Sequence, residues 1–265
     1  MKFGMPTLVE CENAAECVAL AKKFELDFVE INMSFPQYQP SEELIESLNE
    51  LARIHNVFFT IHADEALSPF DFNKRVSECY FEVMRDTIRA AKRIGAPVIN
   101  MHLQKGIYVT LPDKVILLTD VYFEEYLTRV KNFIKMCEDE IGNSGVVIAI
   151  ENVDSNPFTE SQIRALEYFM KSDVFALTLD TGHEMALDYK DEHVFRKYPE
   201  KLVHMHLHDC VGKSPHLPLG AGNIDVLSKI SAFGGQTCLI EVKTIAGLEE
   251  SVDFINKNYE RKNNG

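Results

Sequence analysis

Histidine recurs at chemically useful spacing in one segment near the C-terminus, VHMHLHDCVGKSPHLPLGAGNID (203–225). His204, His206 and His208 alternate strictly, and His216 follows. In a β-strand, alternate residues lie on the same face, so the first three imidazoles would point the same way. Imidazole binds metals and exchanges protons near neutral pH. The segment therefore predicts a strand whose inner face carries metal or proton chemistry.

Acidic residues and further histidines stand at the ends of other apolar runs. These residues are Glu30, His62, His102, Glu151, Asp180, His183 and Glu241. If these ends meet, several carboxylates would share a confined space, which is unfavourable without compensating charge. A divalent cation would compensate, and mixed oxygen and nitrogen ligands suit Mn²⁺, Mg²⁺, Co²⁺ or Zn²⁺. We therefore expect a metal site that includes His206, with His183 and His216 lining it or holding a further ion.

The elements that would position these residues alternate regularly along the chain. Eight short β-rich runs are separated by eight segments of helical periodicity. The predicted strands span 2–8, 27–33, 57–63, 97–103, 146–152, 175–181, 202–208 and 237–243. This order predicts a (β/α)₈ TIM barrel, with a doubly wound parallel sheet as the alternative. In a barrel, the chemistry belongs at the C-terminal ends of the strands, where these polar residues fall.

Each polar residue also has a structural interpretation. His62 or His102 alone could be a polar cap at the barrel rim, and His204 could be a hydrogen-bonded core histidine. Asp209 could orient His206 or cap the loop that follows. The glycines in PLGAGNID (218–225) could form a phosphate-binding loop or a tight turn. Coincidence becomes a poor explanation when consecutive strands all end in ligand-type side chains.

Composition limits the class of protein. The chain has 265 residues, 46% of them hydrophobic, and a net charge of −14, which disfavours nucleic acid and anionic membrane as partners. The six cysteines are scattered without a C-x-x-C pair, and no signal-peptide core or membrane-length apolar run is present. We expect a cytoplasmic protein that forms one domain over 1–265, with a polar, frayed tail at about 258–265.

Several motifs together resemble the xylose isomerase-like TIM barrels, which include sugar-phosphate isomerases and epimerases and the endonuclease IV branch. The motifs are E-N at 151–152, L-D-T-G-H at 179–183, the histidine repeat ending at Asp209, H-L-P-L-G-A-G-N-I-D at 216–225 and I-E-V at 240–242. With G-A-P-V-I-N-M-H at 95–102, they span most of the chain.

The resemblance to the ketose 3-epimerase group implies one divalent metal held by Glu151, Asp180, His206 and Glu241. Glu151 and Glu241 would also be the catalytic acid/base pair, moving a proton through a metal-stabilised enediolate. It implies that His183 contacts substrate oxygens and that Lys213 does so too, and we also expect substrate contacts from His62, His102 and His216. Lys213 stands near the position where that group usually has an arginine.

The resemblance to endonuclease IV implies a different metal content. Its trinuclear zinc site would map onto His62, His102, Glu151, Asp180, His183, His206, His216 and Glu241, with Ser214 at the ninth position. Serine is a poor zinc ligand, and the acidic loop after His62 would repel a phosphate backbone.

We therefore expect a metal-dependent isomerase or epimerase of a small sugar, sugar phosphate or related polyol ketone. The alternatives are an endonuclease IV-like zinc phosphoesterase and a non-catalytic sugar-binding barrel. A homo-oligomer is compatible with such barrels.

Overall fold

Eight parallel strands close into a barrel in a computed structural model that describes residues 1–259. The strands are Lys2–Pro6, Phe28–Asn32, Phe58–His62, Val98–His102, Val147–Glu151, Phe175–Asp180, Leu202–Leu207 and Thr237–Ile240. Each pairs with its neighbours in chain order, and the eighth pairs with the first. The barrel prediction is confirmed, and every predicted strand overlaps an observed one. Closure excludes the doubly wound sheet, which would have two open edges.

Helices cover the outside of the barrel. The α-helices are Ala14–Lys23, Glu42–His55, Lys74–Ile94, Leu118–Val121, Phe123–Ile141, Glu160–Phe169, Thr181–Ala186, Glu192–Lys197, Val226–Ala232 and Ile245–Asn258. Short 3₁₀ turns span Pro36–Tyr38 and Pro199–Lys201. No helix within residues 1–259 is both long and apolar enough to cross a membrane.

Local sequence signals fix several helix ends. The side chain of Ser41 accepts a hydrogen bond from the backbone N–H of Leu44 and so begins the second helix. Gly95, with a φ of 70°, ends the long helix Lys74–Ile94. An L-residue is strained at this φ, so glycine suits the position.

Strand register sets the heights of inward-facing side chains. Glu151 pairs with Thr178, Asp180 pairs with His206, and His206 pairs with Leu239. The ends of the fifth to eighth strands therefore lie at similar depth. The apolar side chains between barrel and helices form the main hydrophobic core.

Two hairpins extend the loops beyond the barrel and are absent from the sequence prediction. One pairs Tyr108–Thr110 with Val115–Leu117, and the other pairs Asp209–Val211 with Ser214–Leu217. The predicted tail lies mostly outside the described residues. Its first residue, Asn258, ends the last helix, and the Tyr259 ring packs on Phe3 with centroids 5.9 Å apart.

Candidate metal centre and active site

Four side chains meet at the C-terminal end of the barrel. Glu151, Asp180 and His206 lie on the fifth, sixth and seventh strands, and Glu241 directly follows the eighth. One ligand atom from each lies within 4.8 Å of the others, and all four residues are buried. Nδ1 of His206 is 3.1 Å from Oε1 of Glu151, 3.2 Å from Oε2 of Glu241 and 3.9 Å from Oδ2 of Asp180. The structure thus brings together the four residues predicted to hold one metal.

The chemistry of this donor set fits a divalent cation. Burial alone would raise the pKa of Glu151 and of Glu241, but the His206 imidazole holds both pKa values well below their ordinary range. Burial would lower the pKa of His206, but the carboxylates of Glu151, Glu30 and Glu241 raise it well above its ordinary value. Oε2 of Glu241 is buried without a hydrogen-bond partner of good geometry among residues 1–259. Three buried carboxylates that face one imidazole nitrogen therefore demand positive charge at their centre.

Asn152 and His208 fix the position of Asp180. The Asn152 side chain donates to the backbone carbonyl of Asp180 at 2.9 Å and accepts from its N–H at 2.9 Å. The backbone N–H of His216 donates to Nδ1 of His208 at 2.7 Å, so Nε2 of His208 carries the proton and donates to Asp180 at 2.9 Å. These bonds hold the carboxylate in place before any ligand binds.

Glu151 and Glu241 have different neighbours. Oε2 of Glu151 accepts from the side-chain amide of buried Asn100 and lies 3.1 Å from Nε2 of His102. Oε1 of Glu241 instead accepts from the ammonium of Lys243 at 2.7 Å. The Lys243 side chain is 54% exposed, whereas that of Glu241 is 9% exposed. One carboxylate is thus enclosed by the protein, and the other is bonded to a cation at the solvent boundary.

His62 and His102 form a second group with Glu151. Nε2 of His62 lies 3.6 Å from Oε2 of Glu151, and the two imidazole rings stack edge to face with centroids 4.8 Å apart. Burial would lower the pKa of His62, but the Glu151 carboxylate raises it to about 9. A second cation could bind between these three residues.

His183 and His216 form a third group with His208. Nε2 of His183 lies 3.4 Å from Nε2 of His216. Nδ1 of His183 lies 3.0 Å from the Asn152 carbonyl, and Nδ1 of His216 lies 3.3 Å from the Glu241 carbonyl. Burial lowers the pKa of His216 to about 4, so this ring is neutral at pH 7. The residues predicted for a second metal therefore divide between two groups, one with Glu151 and the other with His208.

Asp209 organises the loop that carries His216. Its carboxylate accepts from the backbone N–H groups of Cys210, Gly220 and Ile224 at 2.8, 3.0 and 3.0 Å. A Cβ on Gly222 would lie 2.3 Å from Oδ1 of Asp209. Asp209 is thus a loop cap, and the glycines in 218–225 form a tight turn. The N–H groups of Gly220 and Ile224 are bonded to Asp209, which disfavours the phosphate-loop interpretation.

Two cavities open beside the cluster. One of about 260 Å³ has a lining that includes Glu30, Asn32, Phe35, His62, Glu65, Glu241 and Lys243. The other, of about 250 Å³, lies on the side of His102 and His183 and is mostly polar. Cavities of this size suit a small polar molecule better than a large ligand.

Lys213 does not lie among the residues that line these cavities. It is exposed in the turn of the hairpin at 209–217, and Lys243 is the lysine that contacts a candidate ligand. Its predicted substrate contact therefore has no support in the geometry. In a hairpin, the turn carries residue 213 away from the strand end.

Sequence reasoning missed several residues that support the site. It named Glu30 without a partner, and the structure places this carboxylate against His204 and His206. It gave no role to Asn100, which lies two positions before His102 on the same strand face. Period-two alternation back from His102 would have found Asn100, because inward residues of a strand recur every second position.

One family model matches the chain, and its description is "Xylose isomerase-like TIM barrel". The match covers residues 18–258. No curated protein matched the sequence.

Several solved structures are similar to this chain over nearly its whole length. A D-tagatose 3-epimerase-like protein is 25% identical with a TM-score of 0.74, and the match covers 98% of this chain and 100% of that one. The IolI protein with a bound zinc atom is 18% identical with a TM-score of 0.74, covering 98% and 100% of the two chains. Endonuclease IV from Thermus thermophilus is 17% identical with a TM-score of 0.69, covering 97% and 100%. The last two similarities show the fold.

Proposed function

We propose, given that this chain belongs to the xylose isomerase-like TIM barrel family, that it is a metal-dependent isomerase or epimerase. Its substrate class would be a small sugar, sugar phosphate or related polyol ketone. Mn²⁺, Mg²⁺, Co²⁺ or Zn²⁺ would be held by Glu151, Asp180, His206 and Glu241. The D-tagatose 3-epimerase-like structure, at 25% identity over nearly the whole chain, supports sugar chemistry.

One observation carries the proposal. Two buried carboxylates, Glu151 and Glu241, both face Nδ1 of His206, at 3.1 and 3.2 Å. Glu151 ends the fifth strand, and Glu241 directly follows the eighth. Two carboxylates at one centre can exchange a proton with the same carbon of a substrate, one as base and the other as acid.

A bound divalent cation would supply Lewis-acid stabilisation of the negative charge that develops beside a carbonyl. Side chains of the protein would transfer the protons and bind the substrate. Glu241, next to the cavity and bonded to Lys243, would take or return one proton, and Glu151 would do the same from its enclosed position. Nε2 of His183 and Nε2 of His216 would contact substrate oxygens, since their Nδ1 atoms face backbone carbonyls.

Solvent exchange tests this proposal directly. The metal-loaded protein would be incubated in D₂O with a panel of ketoses and ketose phosphates, and deuterium at the carbon beside the carbonyl would be measured. We expect uptake with at least one substrate, and a loss of about 10²- to 10⁴-fold in Glu151→Gln and in Glu241→Gln. Metal-loaded protein that exchanges no proton with any member of the panel would contradict the proposal.

A second candidate function is hydrolysis of phosphoesters. The groups at His62, His102 and Glu151 and at His183, His208 and His216 could hold further ions, as multi-metal hydrolases require. The endonuclease IV structure shares the fold. Elemental analysis separates the two candidates: about one ion per chain favours the isomerase, and two or three zinc ions favour the hydrolase. Cleavage of an abasic-site duplex or of a generic phosphodiester would then confirm hydrolysis.

A further inference from the structure

A second polar layer lies inside the barrel, directly beneath the four candidate ligands. Its members are Glu30, Thr60, His204 and Thr237, and all four are buried. Strand register pairs Glu30 with Thr60 and His204 with Thr237. Of the four, Glu30 reaches the wall of the 260 Å³ cavity, whereas Thr60, His204 and Thr237 line neither of the two cavities described above. Burial of a carboxylate and an imidazole in a barrel interior costs free energy, so a role for the layer is expected.

His206 connects this layer to the candidate metal centre. Its Nδ1 faces Glu151 and Glu241, as described above. Its Nε2 is buried without an aligned hydrogen-bond acceptor among the described residues, and Oε1 of Glu30 lies 3.2 Å away. The ring thus has one nitrogen toward the ligands and the other toward a carboxylate below.

The other partners of Glu30 hold it in this position. Its Oε2 accepts from the hydroxyl of Thr60 at 2.8 Å and lies 3.2 Å from Nε2 of His204. Nδ1 of His204 in turn lies 2.6 Å from the Thr237 hydroxyl. The two oxygens of Glu30 therefore have different partners. Oε2 contacts Thr60 and His204, which hold the carboxylate in place, and Oε1 faces Nε2 of His206.

We propose that Glu30 is a positioning residue that keeps Nδ1 of His206 free for the metal and strengthens the imidazole as a ligand. A carboxylate on the far nitrogen of a metal-binding histidine fixes its tautomer and raises its basicity. His204, Thr60 and Thr237 are the supports of Glu30. This inference rests on the metal site of the proposed function, but it does not depend on which reaction the protein catalyses.

The substitution Glu30→Gln isolates the charge. Glutamine has nearly the same shape, and its carbonyl can still face Nε2 of His206 while its amide faces Thr60. If the proton of His204 moves from Nε2 to Nδ1, Nε2 can accept a hydrogen bond from that amide. The variant can therefore satisfy its buried polar groups without a change of fold. What it removes is the negative charge next to the ligand histidine.

The experiment measures the affinity of the chelator-stripped, folded protein for Zn²⁺ by competition with a chromophoric chelator. We expect Glu30→Gln to bind about 10- to 100-fold more weakly than the wild type. The visible spectrum of the Co²⁺-loaded variant should also shift, because the strength of one ligand has changed. A residue with a purely structural role would lower thermal stability without changing either readout in the folded protein.

Glu65→Gln is the matched control. Glu65 lines the same cavity but bonds to Asn32 at 2.8 Å rather than to a candidate ligand. Loss of the Glu65 charge should weaken Zn²⁺ binding by less than about threefold, since an exposed charge is screened by solvent. Equal losses in the two variants would reduce the effect of Glu30 to net charge and overturn the proposal.

The remaining outcomes are separable. Unchanged affinity in folded Glu30→Gln overturns the positioning role alone. A wild-type protein that binds no metal overturns the proposed function together with this role. If Glu30→Gln does not fold, Glu30→Asp is the second variant, because it keeps the negative charge but moves it one methylene away from His206. Weaker Zn²⁺ binding by Glu30→Asp supports the proposal, and unchanged Zn²⁺ binding refutes it.

Discussion

Removal of metal should make the stability of this protein unusually sensitive to alkaline pH. The perturbation is chelation, followed by urea unfolding at pH values from 6 to 10. Burial would lower the pKa of His62, but the Glu151 and Glu30 carboxylates raise it to about 9. Burial would lower the pKa of His183, but Asp180 and Glu151 raise it to about 10. Protons on these rings thus compensate the buried carboxylates when no cation does.

The sign and size follow from linkage. A histidine whose folded pKa is raised contributes stability that is complete below its unfolded pKa of 6.5 and is lost as pH rises through its folded pKa. The shift of His62 from 6.5 to about 9 corresponds to about 3 kcal/mol, at 1.36 kcal/mol for each unit. His183 extends the loss to about pH 10. The two rings share Glu151, so their contributions do not add fully. Even 3 kcal/mol is a large part of a typical unfolding free energy of about 5–15 kcal/mol.

The assay compares stripped and metal-loaded protein. A bound cation would repel the proton from His62, so the loaded protein should lose much less stability between pH 6.5 and 9. His62→Gln should flatten the profile of the stripped protein, whereas His193→Gln, at an exposed ring, should leave it unchanged. A stripped protein whose stability is flat or rises over this range would refute the reasoning. The reasoning would also be refuted if the unfolding free energy fell equally steeply with pH in the stripped and the metal-loaded protein.

Three further predictions test how the site is held. Asn152→Ala removes both hydrogen bonds to the Asp180 backbone and should cost about 1–3 kcal/mol of unfolding free energy, measured by urea denaturation. Gly222→Ala places a Cβ 2.3 Å from Oδ1 of Asp209 and should destabilise the protein by about 1–3 kcal/mol, seen as a lower urea midpoint. Lys243→Met removes a cation that lowers the pKa of the adjacent Glu241 carboxylate, so the acidic limb of the exchange rate should move to higher pH. If the acidic limb of the exchange rate does not move, Lys243 does not affect the Glu241 carboxylate during the reaction.

Much of the architecture was readable from local patterns. Alternating apolar runs and helical segments predicted all eight barrel strands, because strand and helix periodicities differ along the chain. Residue types at the ends of the predicted strands also named Glu151, Asp180 and His206, and the observed register places these three at similar depth. The capping signals at Ser41 and Gly95 acted locally, so they could be read without the fold.

Other features depended on residues far apart in sequence. Glu30 and His206 are 176 positions apart (206 − 30), and nothing in either segment indicates that they touch. The assignment of His62 and His183 to different groups depends on which strands and loops adjoin in the closed barrel. Lys213 was named because it stands near the usual arginine of the epimerase group, but it lies in a hairpin turn, and the lysine that contacts Glu241 is Lys243.

The sequence by itself determined the order of the elements, the inward faces of the strands and the chemical types at their ends. Local periodicity encodes these properties, since each depends on neighbours a few residues apart. Only the tertiary structure decided which nitrogen of each histidine faces which carboxylate. It also decided that Glu241 adjoins Lys243 and a cavity whereas Glu151 is enclosed. Those properties arise from barrel closure, which places distant strands about 4.8 Å apart and sets their relative heights.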